Sequence, residues 1–296
     1  LEEYAGGLPL PTPLDRLRPA FDVVYADLRN YQLTARAMRE AQPERVIHLA
    51  AAGVSDPYLN PHTAVSHNVG GTLNLLRACF EGRETQQLIV ARTPGETAPT
   101  SPYAASKASA DLLVNAYHVT YGLPTTISRG SNNIGPYQYP EKAVPLFATN
   151  AIDGLPLPVY GDGRQMREYQ YVRDHCEAID LVLQRGQVGE TYNVGTGVEV
   201  ENLAMAAILL DTLERPHSLL RHVTDRPGHD RRYSLDIRKI TALGWEPAHT
   251  PEEAIALTAR WYRDNEWWWR KIKSGEFQQY YEAQYGERLR TAAPLN

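Results

Sequence analysis

Long apolar runs are missing from this 296-residue chain. Nothing in it reaches the roughly 18 consecutive apolar residues that a membrane-spanning helix needs, so a membrane protein is not expected. Cysteine is almost absent. Only Cys79 and Cys176 occur, both within segments of apolar periodicity, which is too few for a disulfide framework and suits a reduced, cytoplasmic protein. An excess of positive charge is missing as well. The formal charge is -5, with Lys and Arg spread along the chain, so nucleic acid is not expected as a partner beyond local anion contacts. There is no internal repeat and no low-complexity tract. The opening LEEYAGGLPLPTP has neither an initiator Met nor a charged-then-apolar signal pattern, and reads as a chain that begins partway through something.

What is present is alternation. Short apolar runs at FDVVYADL (21–28), RVIHLAAA (45–52), QQLIVA (86–91) and TTISRG (125–130) read as buried strands, separated by helical periodicity at 31–41, 63–80 and 103–121. Strand, helix, strand in repetition implies right-handed crossovers and a parallel, doubly wound α/β sheet of Rossmann-like type. After Gly130 the texture changes to loops rich in Gly, Pro and Tyr, such as SNNIGPYQYPEK and YGDGRQMREYQYVRD, and the chain ends in amphipathic segments from Pro251 onward. We therefore expect a main domain over 1–130 and a smaller C-terminal α/β domain over 131–296, some of whose segments return to the main sheet. The aromatic run at Glu266 to Trp269 reads as packing rather than a ligand box.

In a doubly wound fold, ligands lie beyond the carboxyl ends of the strands. A Gly-rich turn after the first strand is expected there and does not occur: Gly6-Gly7 follows no strand, Gly70-Gly71 sits in a helical run, and Gly161-Asp162-Gly163 comes in the second half. One pair stands out. Tyr103 and Lys107, preceded by Ser101-Pro102, stand four residues apart and so meet on one helix face. A tyrosine hydroxyl ordinarily holds its proton to about pH 10, and a neighbouring ammonium or an oxidised nicotinamide ring favours the phenolate. Such a group can take a proton from a sugar hydroxyl as its carbon gives up hydride.

The pair at the head of a helix after a parallel strand, with Asp27-Leu28, Leu49-Ala50-Ala51, Asn68 within HNVGGT and SNNIGP at 131–136, resembles the extended short-chain dehydrogenase/reductase family. Within it the runs SPYAASKASAD, SNNIGPYQYPEKAVPLF, PLPVYGDGRQMRE and DRPGHDRRYSLD are most similar to dTDP-glucose 4,6-dehydratases. The resemblance implies NAD as cofactor, held by Asp27, Leu28, Leu49, Ala50, Ala51, Asn68, Tyr103, Lys107 and Ser131. It implies a nucleotide-sugar substrate held by Asn133, Glu141, Lys142, Tyr160, Arg167, Asn202, Arg226, His229 and Tyr233. Lys142, Arg167 and Arg226 can neutralise a diphosphate, Arg being suited to bidentate contacts, and Asn133 and Asn202 can donate to the same oxygens. The implied reaction is an internal redox cycle at C4 with loss of water across C5 and C6, in a homodimer formed through the helix bearing Tyr103 and the helix at 63–80.

The sequence departs from that pattern in three places. Where the dehydratases carry Thr-Asp-Glu before the Tyr-Lys helix, this chain has Thr93-Pro94-Gly95, with the carboxylate one position later at Glu96. Thr93 and Glu96 are the candidate partners of Tyr103 and Lys107 in catalysis; Glu96 is either the C5 base or a surface loop residue. Ala52-Gly53-Val54-Ser55 replaces the usual Glu-Ser-His-Val at the sugar pocket. The third departure is the missing glycine fingerprint: either residues precede Leu1, as the likeness of Tyr4-Ala5-Gly6 to the segment after the second strand suggests, or NAD is no longer held. Three functions stay open: a 4,6-dehydratase, favoured by DRPGHDRRYSLD; a 4-epimerase, which needs no acid at position 94; and a non-catalytic nucleotide-sugar binding protein.

Overall fold

The computed structural model describes residues 22–52, 60–82, 85–92, 99, 101–225, 229, 231–232 and 234–294. By internal contacts the chain divides into two units, Leu1–Arg129 with Val182–Tyr192, and Gly130–Leu181 with Asn193–Asn296.

The first unit alternates helix and strand. Helix α1 (Tyr31–Ala41) is capped by Asn30, whose side-chain oxygen accepts the Leu33 N–H at 3.1 Å, as short polar residues do at helix starts. Strand β1 (Arg45–His48) is followed by α2 (Pro61–Ala64), a π-helical turn (Val65–Gly70) and α3 (Gly71–Gly82). Then come β2 (Gln87–Arg92), α4 (Pro102–Tyr121) and β3 (Thr125–Gly130). β1 pairs with β2 and β2 with β3, both in parallel. The core under this sheet is Leu75, Leu76, Cys79, Leu88, Val90, Val114, Leu123 and Ile127, apolar strand residues facing the apolar stripes of α3 and α4.

Two strand expectations are corrected. Of the 21–28 run, residues 22–27 carry no strand, and Val23, Val24 and Tyr25 are exposed. β-Propensity expresses fit to a packed, paired surface, and among the described residues this segment has no ladder partner. The 45–52 strand stops at His48, and Leu49 is 67% exposed.

The second unit holds β4 (Asn132–Ile134), α5 (Ala143–Ile152), β5 (Leu157–Tyr160), β6 (Met166–Arg167), β7 (Tyr169–Tyr171) and most of α6 (Val172–Arg185). β8 (Thr191–Val194) begins in the first unit and completes the four-stranded order β1-β2-β3-β8. There follow β9 (Val200–Glu201), α7 (Asn202–Thr212), a 3-10 turn (His217–Leu219), β10 (Leu220–Val223) and α8 (Arg238–Thr241). The chain closes through α9 (Pro251–Asp264), α10 (Glu266–Ile272), α11 (Glu276–Tyr281), a π-helical turn (Glu282–Gly286), α12 (Glu287–Arg290) and β11 (Ala293–Pro294). β4 pairs in parallel with β7, β6 antiparallel with β9, and β10 lies between β5 and β11.

The core of this unit gathers Leu146, Phe147, Met205, Leu209, Ile255, Tyr262 and Trp269 from α5, α7, α9 and α10. α9 starts in a capping box: Thr250 Oγ1 accepts the Glu253 N–H, and Glu253 returns an acceptor to the Thr250 N–H, which satisfies two donors that a helix start otherwise leaves open. Of the Trp run, Trp269 is fully buried and its indole N–H donates to Tyr262 O at 2.8 Å. Trp268 packs edge-on to Tyr137 and Trp261, and Trp267 is exposed. The two cysteines, both within helices, differ: Cys79 is buried and Cys176 is exposed.

Candidate active site

In the first unit the site is built at the head of α4. Ser101 accepts the Ala104 N–H on its hydroxyl at 3.1 Å, and Pro102 occupies the first turn, where its missing N–H costs nothing. That start sets Tyr103 on the first turn, half-buried, and Lys107 one turn later, 8% exposed.

A buried polar chain supports the pair. The π-helical turn carries Asn68, itself 2% exposed. Its side-chain oxygen accepts the Ala52 N–H at 2.7 Å, and its amide donates to Ser106 Oγ at 2.9 Å. Ser106 donates in turn to the Tyr103 carbonyl at 2.7 Å. On the other side Thr72 Oγ1 donates to the Asn68 carbonyl at 2.6 Å and meets His48 Nε2 at 2.9 Å. With the Thr72 proton committed to Asn68, His48 carries its proton on Nε2 and donates. Burial, assisted by the positive charge of Lys107, pushes the His48 imidazole down to about 4, so it is neutral near pH 7. His48, Thr72 and Ser106 escaped the sequence reading; helix spacing between Thr72 and Asn68 was the available signal.

The remaining first-unit candidates are placed as follows. The Asp27 carboxylate accepts from the Arg29 N–H and, at both oxygens, from its guanidinium, which holds it below the usual carboxylate range. Leu28 is half-buried and its carbonyl accepts from Asn74 Nδ2 at 2.8 Å. Leu49, Ala50 and Ala51 are exposed just beyond β1. Thr93, Glu96 and 53–55 lie outside the described residues.

In the second unit, Ser131 leads into β4, where Asn133 is half-buried. Glu141 and Lys142 pair at 3.2 Å. Arg167 is 7% exposed, with Nη1 donating to the Met166 carbonyl at 2.7 Å. The Asn202 side-chain oxygen accepts the Tyr169 hydroxyl at 2.7 Å. The Tyr160 hydroxyl accepts from Gln284 Nε2 at 2.9 Å and from Arg288 Nη1 at 3.2 Å, and its ring meets His229 edge-on. His229 Nδ1 lies 2.7 Å from Asp225. Arg226 and Tyr233 lie outside the described residues.

Three carboxylates that sequence reasoning missed pin these pieces. Asp162 accepts both Arg231 guanidinium nitrogens, at 2.7 and 2.9 Å, and that cation draws its carboxyl down to about 2. Glu199 takes Arg232 in the same two-point way. Glu168, 1% exposed, accepts the N–H groups of Gly197 at 3.2 Å and Leu235 at 2.8 Å. Burial raises its carboxyl against the lowering pull of these donors. Two cations in the run DRPGHDRRYSLD therefore hold the protein's own carboxylates.

The family described as GDP-mannose 4,6 dehydratase matches residues 10–258. The chain is 42% identical to a dTDP-glucose 4,6-dehydratase of Xanthomonas campestris pv. campestris (strain B100), over 93% of this chain and 88% of that one. It is 37% identical to dTDP-glucose 4,6-dehydratase 1 of Escherichia coli (strain K12), over 88% and 84%. Among solved structures it is similar to DesIV, a dTDP-glucose 4,6-dehydratase of Streptomyces venezuelae crystallised with NAD, with TM-score 0.79, 41% identity, and coverage of 84% and 82%. It is also similar to the Thermus thermophilus UDP-glucose 4-epimerase in complex with NAD, with TM-score 0.75, 32% identity, and coverage of 81% and 84%.

Proposed function

The chain belongs to the GDP-mannose 4,6 dehydratase family, among the NAD-dependent epimerases and dehydratases, and on that premise we propose that it is a nucleotide-sugar 4,6-dehydratase acting on dTDP-glucose or a close relative. The observation that carries the reading is the Tyr103–Lys107 pair: a phenol and a buried ammonium one helical turn apart at a capped helix start.

The donor set suits NAD. A buried ammonium stands beside a phenol, and exposed backbone at Leu49 to Ala51 follows a parallel strand, where doubly wound folds take their dinucleotides. Bound NAD supplies the hydride acceptor, and later the donor, of an internal redox cycle. Tyr103 would take the proton of the sugar 4-hydroxyl as C4 gives up its hydride, the Lys107 charge favouring the phenolate; after water is lost across C5 and C6 the hydride would return to C6, and the 4-keto group would stay in the product. Asn68 holds the Tyr103 carbonyl through Ser106, which fixes where the phenol is presented. Loss of water across C5 and C6 needs a base at C5, and Glu96, the carboxylate that follows Thr93-Pro94-Gly95 in the sequence, is the candidate for it. Lys142, Arg167 and Arg226 balance the diphosphate, with Asn133, Asn202, Glu141, Tyr160, His229 and Tyr233 around the nucleotide sugar. The first unit then carries most of the cofactor contacts and the second most of the substrate contacts.

A homodimer in the cytoplasm completes the reading. The apolar residues Leu112 (70% exposed) and Val119 (82% exposed) on α4, with Leu73 and Phe80 on α3, support a second copy as their cover. A 4-epimerase is the second reading, favoured by Thr93-Pro94-Gly95, which offers no acid for the leaving hydroxyl.

Tyr103→Phe tests the proposal. Removing a general base costs about 10²–10⁴ in turnover, and the variant is expected to keep bound NAD and its melting temperature. Turnover equal to that of the unaltered protein would remove Tyr103 from the mechanism.

A further inference from the structure

Two buried amide atoms on one small ladder lack partners in a complementary way. Gln170 is 0% exposed, and its side-chain nitrogen has no hydrogen-bond partner among the described residues. Asn133 is half-buried, and its side-chain oxygen is buried with no partner among the described residues. Asn133 and Gln170 are registered opposite each other in the parallel β4–β7 pair, so their side chains leave the same face on strands about 4.8 Å apart. Ser131, two residues before Asn133, shares that face and follows the same alternation: its hydroxyl donates to the Gln170 side-chain oxygen at 3.2 Å.

The orientation of Gln170 follows from its oxygen. It accepts from Ser131 and lies 3.4 Å from His175 Nδ1, which brings a proton when that tautomer is present. His175 is itself held against Gly130, where a Cβ would fall 2.1 Å from the imidazole Cε1, so only glycine admits this ring. The amide nitrogen is thus turned away from its own supports. One open donor and one open acceptor are thus carried by residues registered opposite each other on the same face of this ladder. A buried donor or acceptor left unmatched is costly, so a group that fills both is favoured.

We propose that Gln170 is a further binding residue, which with Asn133 reads an amide edge: one planar group presenting a carbonyl oxygen to Gln170 and an adjacent N–H to Asn133. The inference rests on the proposed function for its choice of ligands. Two of those ligands carry such an edge, the nicotinamide carboxamide of NAD and the imide of a pyrimidine base in the nucleotide. Both would be read by the same two atoms.

The experiment compares the full-length protein with Gln170→Leu, which removes the donor at similar volume, and Gln170→Glu, which keeps the acceptor for Ser131. Binding of NAD+, of thionicotinamide adenine dinucleotide and of dTDP is measured by calorimetry, with melting temperature as the check on folding. If the nicotinamide is read, both variants lose about tenfold in NAD+ affinity, the unaltered protein's preference for NAD+ over the thioamide analogue shrinks, and dTDP binding is unchanged. If the base is read, dTDP affinity falls about tenfold while NAD+ affinity holds. Unchanged affinity for both ligands, in variants that melt like the unaltered protein, would mean that water bridges the pair, and would overturn the inference while leaving the proposed function intact. Failure of the unaltered protein to bind either ligand would overturn both.

Discussion

Asn68 and Ser106 are joined by a 2.9 Å hydrogen bond between two side chains that are each 2% exposed, and through it the π-helical turn before α3 is tied to the first turn of α4. Ser106 passes the tie to the Tyr103 carbonyl, while the other end of the Asn68 amide holds Ala52. Asn68→Ala opens both ends. The expected loss is about 2–3 kcal/mol, from buried groups left unmatched, with turnover falling because Tyr103 is no longer held. Asn68→Asp keeps the Ala52 acceptor and is expected to lose about half as much stability. Chemical denaturation of the two variants checks the order.

His48 and His175 set an acid limit. Both are buried, and both imidazoles are pushed down to about 4 from 6.5, by burial first and, for His48, by Lys107 second. Between pH 6.5 and 4 the unfolded chain binds protons that the folded one refuses. Stability is therefore full above pH 6.5 and is lost as pH falls through that window, by up to about 3 kcal/mol per imidazole. His48→Gln, which keeps a donor for Thr72, is expected to flatten part of the fall in melting temperature between pH 7 and 4. An unchanged slope would show that His48 is not buried neutral.

Lys273 gives the opposite limb. Its ammonium donates to Asn150 Oδ1 at 2.9 Å and Thr149 Oγ1 at 3.2 Å, and burial lowers it to about 8 despite Asp153 at 3.9 Å. The folded chain gives up this proton before the unfolded chain does, so stability rises with pH between about 8 and 10.5. Lys273→Met is expected to abolish that rise. Melting temperature followed from pH 7 to 10 is the check.

Glu168 leaves no room for a larger residue at position 195. A Cβ on Gly195 would stand 2.3 Å from a Glu168 oxygen. Gly195→Ala forces that carboxylate off Gly197 and Leu235 and is expected to cost about 1–3 kcal/mol, as overpacking does. Gly195→Ala combined with Glu168→Ala should lose less than the two single changes summed, by a double-mutant cycle.

The Asp162–Arg231 pair is exposed, and on the proposed function it positions the segment that carries His229. Asp162→Ala is expected to raise KM for the nucleotide sugar several-fold, with smaller change in kcat and melting temperature, because it frees Arg231 beside His229. Equal KM values would show that this pair does not shape the substrate region.

Much of this was legible in the sequence because it rests on short-range rules. The Ser101-Pro102 start, the Tyr103–Lys107 spacing and the periodicity of α1, α3 and α4 are read within a few residues, and all hold in the structure. What escaped depends on residues far apart in the chain. The 21–28 run has strand propensity, but a strand needs a neighbour. Glu168 meets Leu235, and Asp162 meets Arg231, across separations that no local pattern encodes. The exposed Cys176 shows the same limit, since one residue of rotation decides which face of α6 is covered.

The central claim is that this Tyr-Lys pair serves a dehydration, and the mass of the product tests it most directly. Purified protein is incubated with NAD+ and dTDP-glucose, and the nucleotide sugar is analysed by mass spectrometry. The expected product is lighter by one water, formed without net consumption of NAD+ and abolished by Tyr103→Phe. A nucleotide sugar of unchanged mass, with or without an epimer resolved by chromatography, would contradict it.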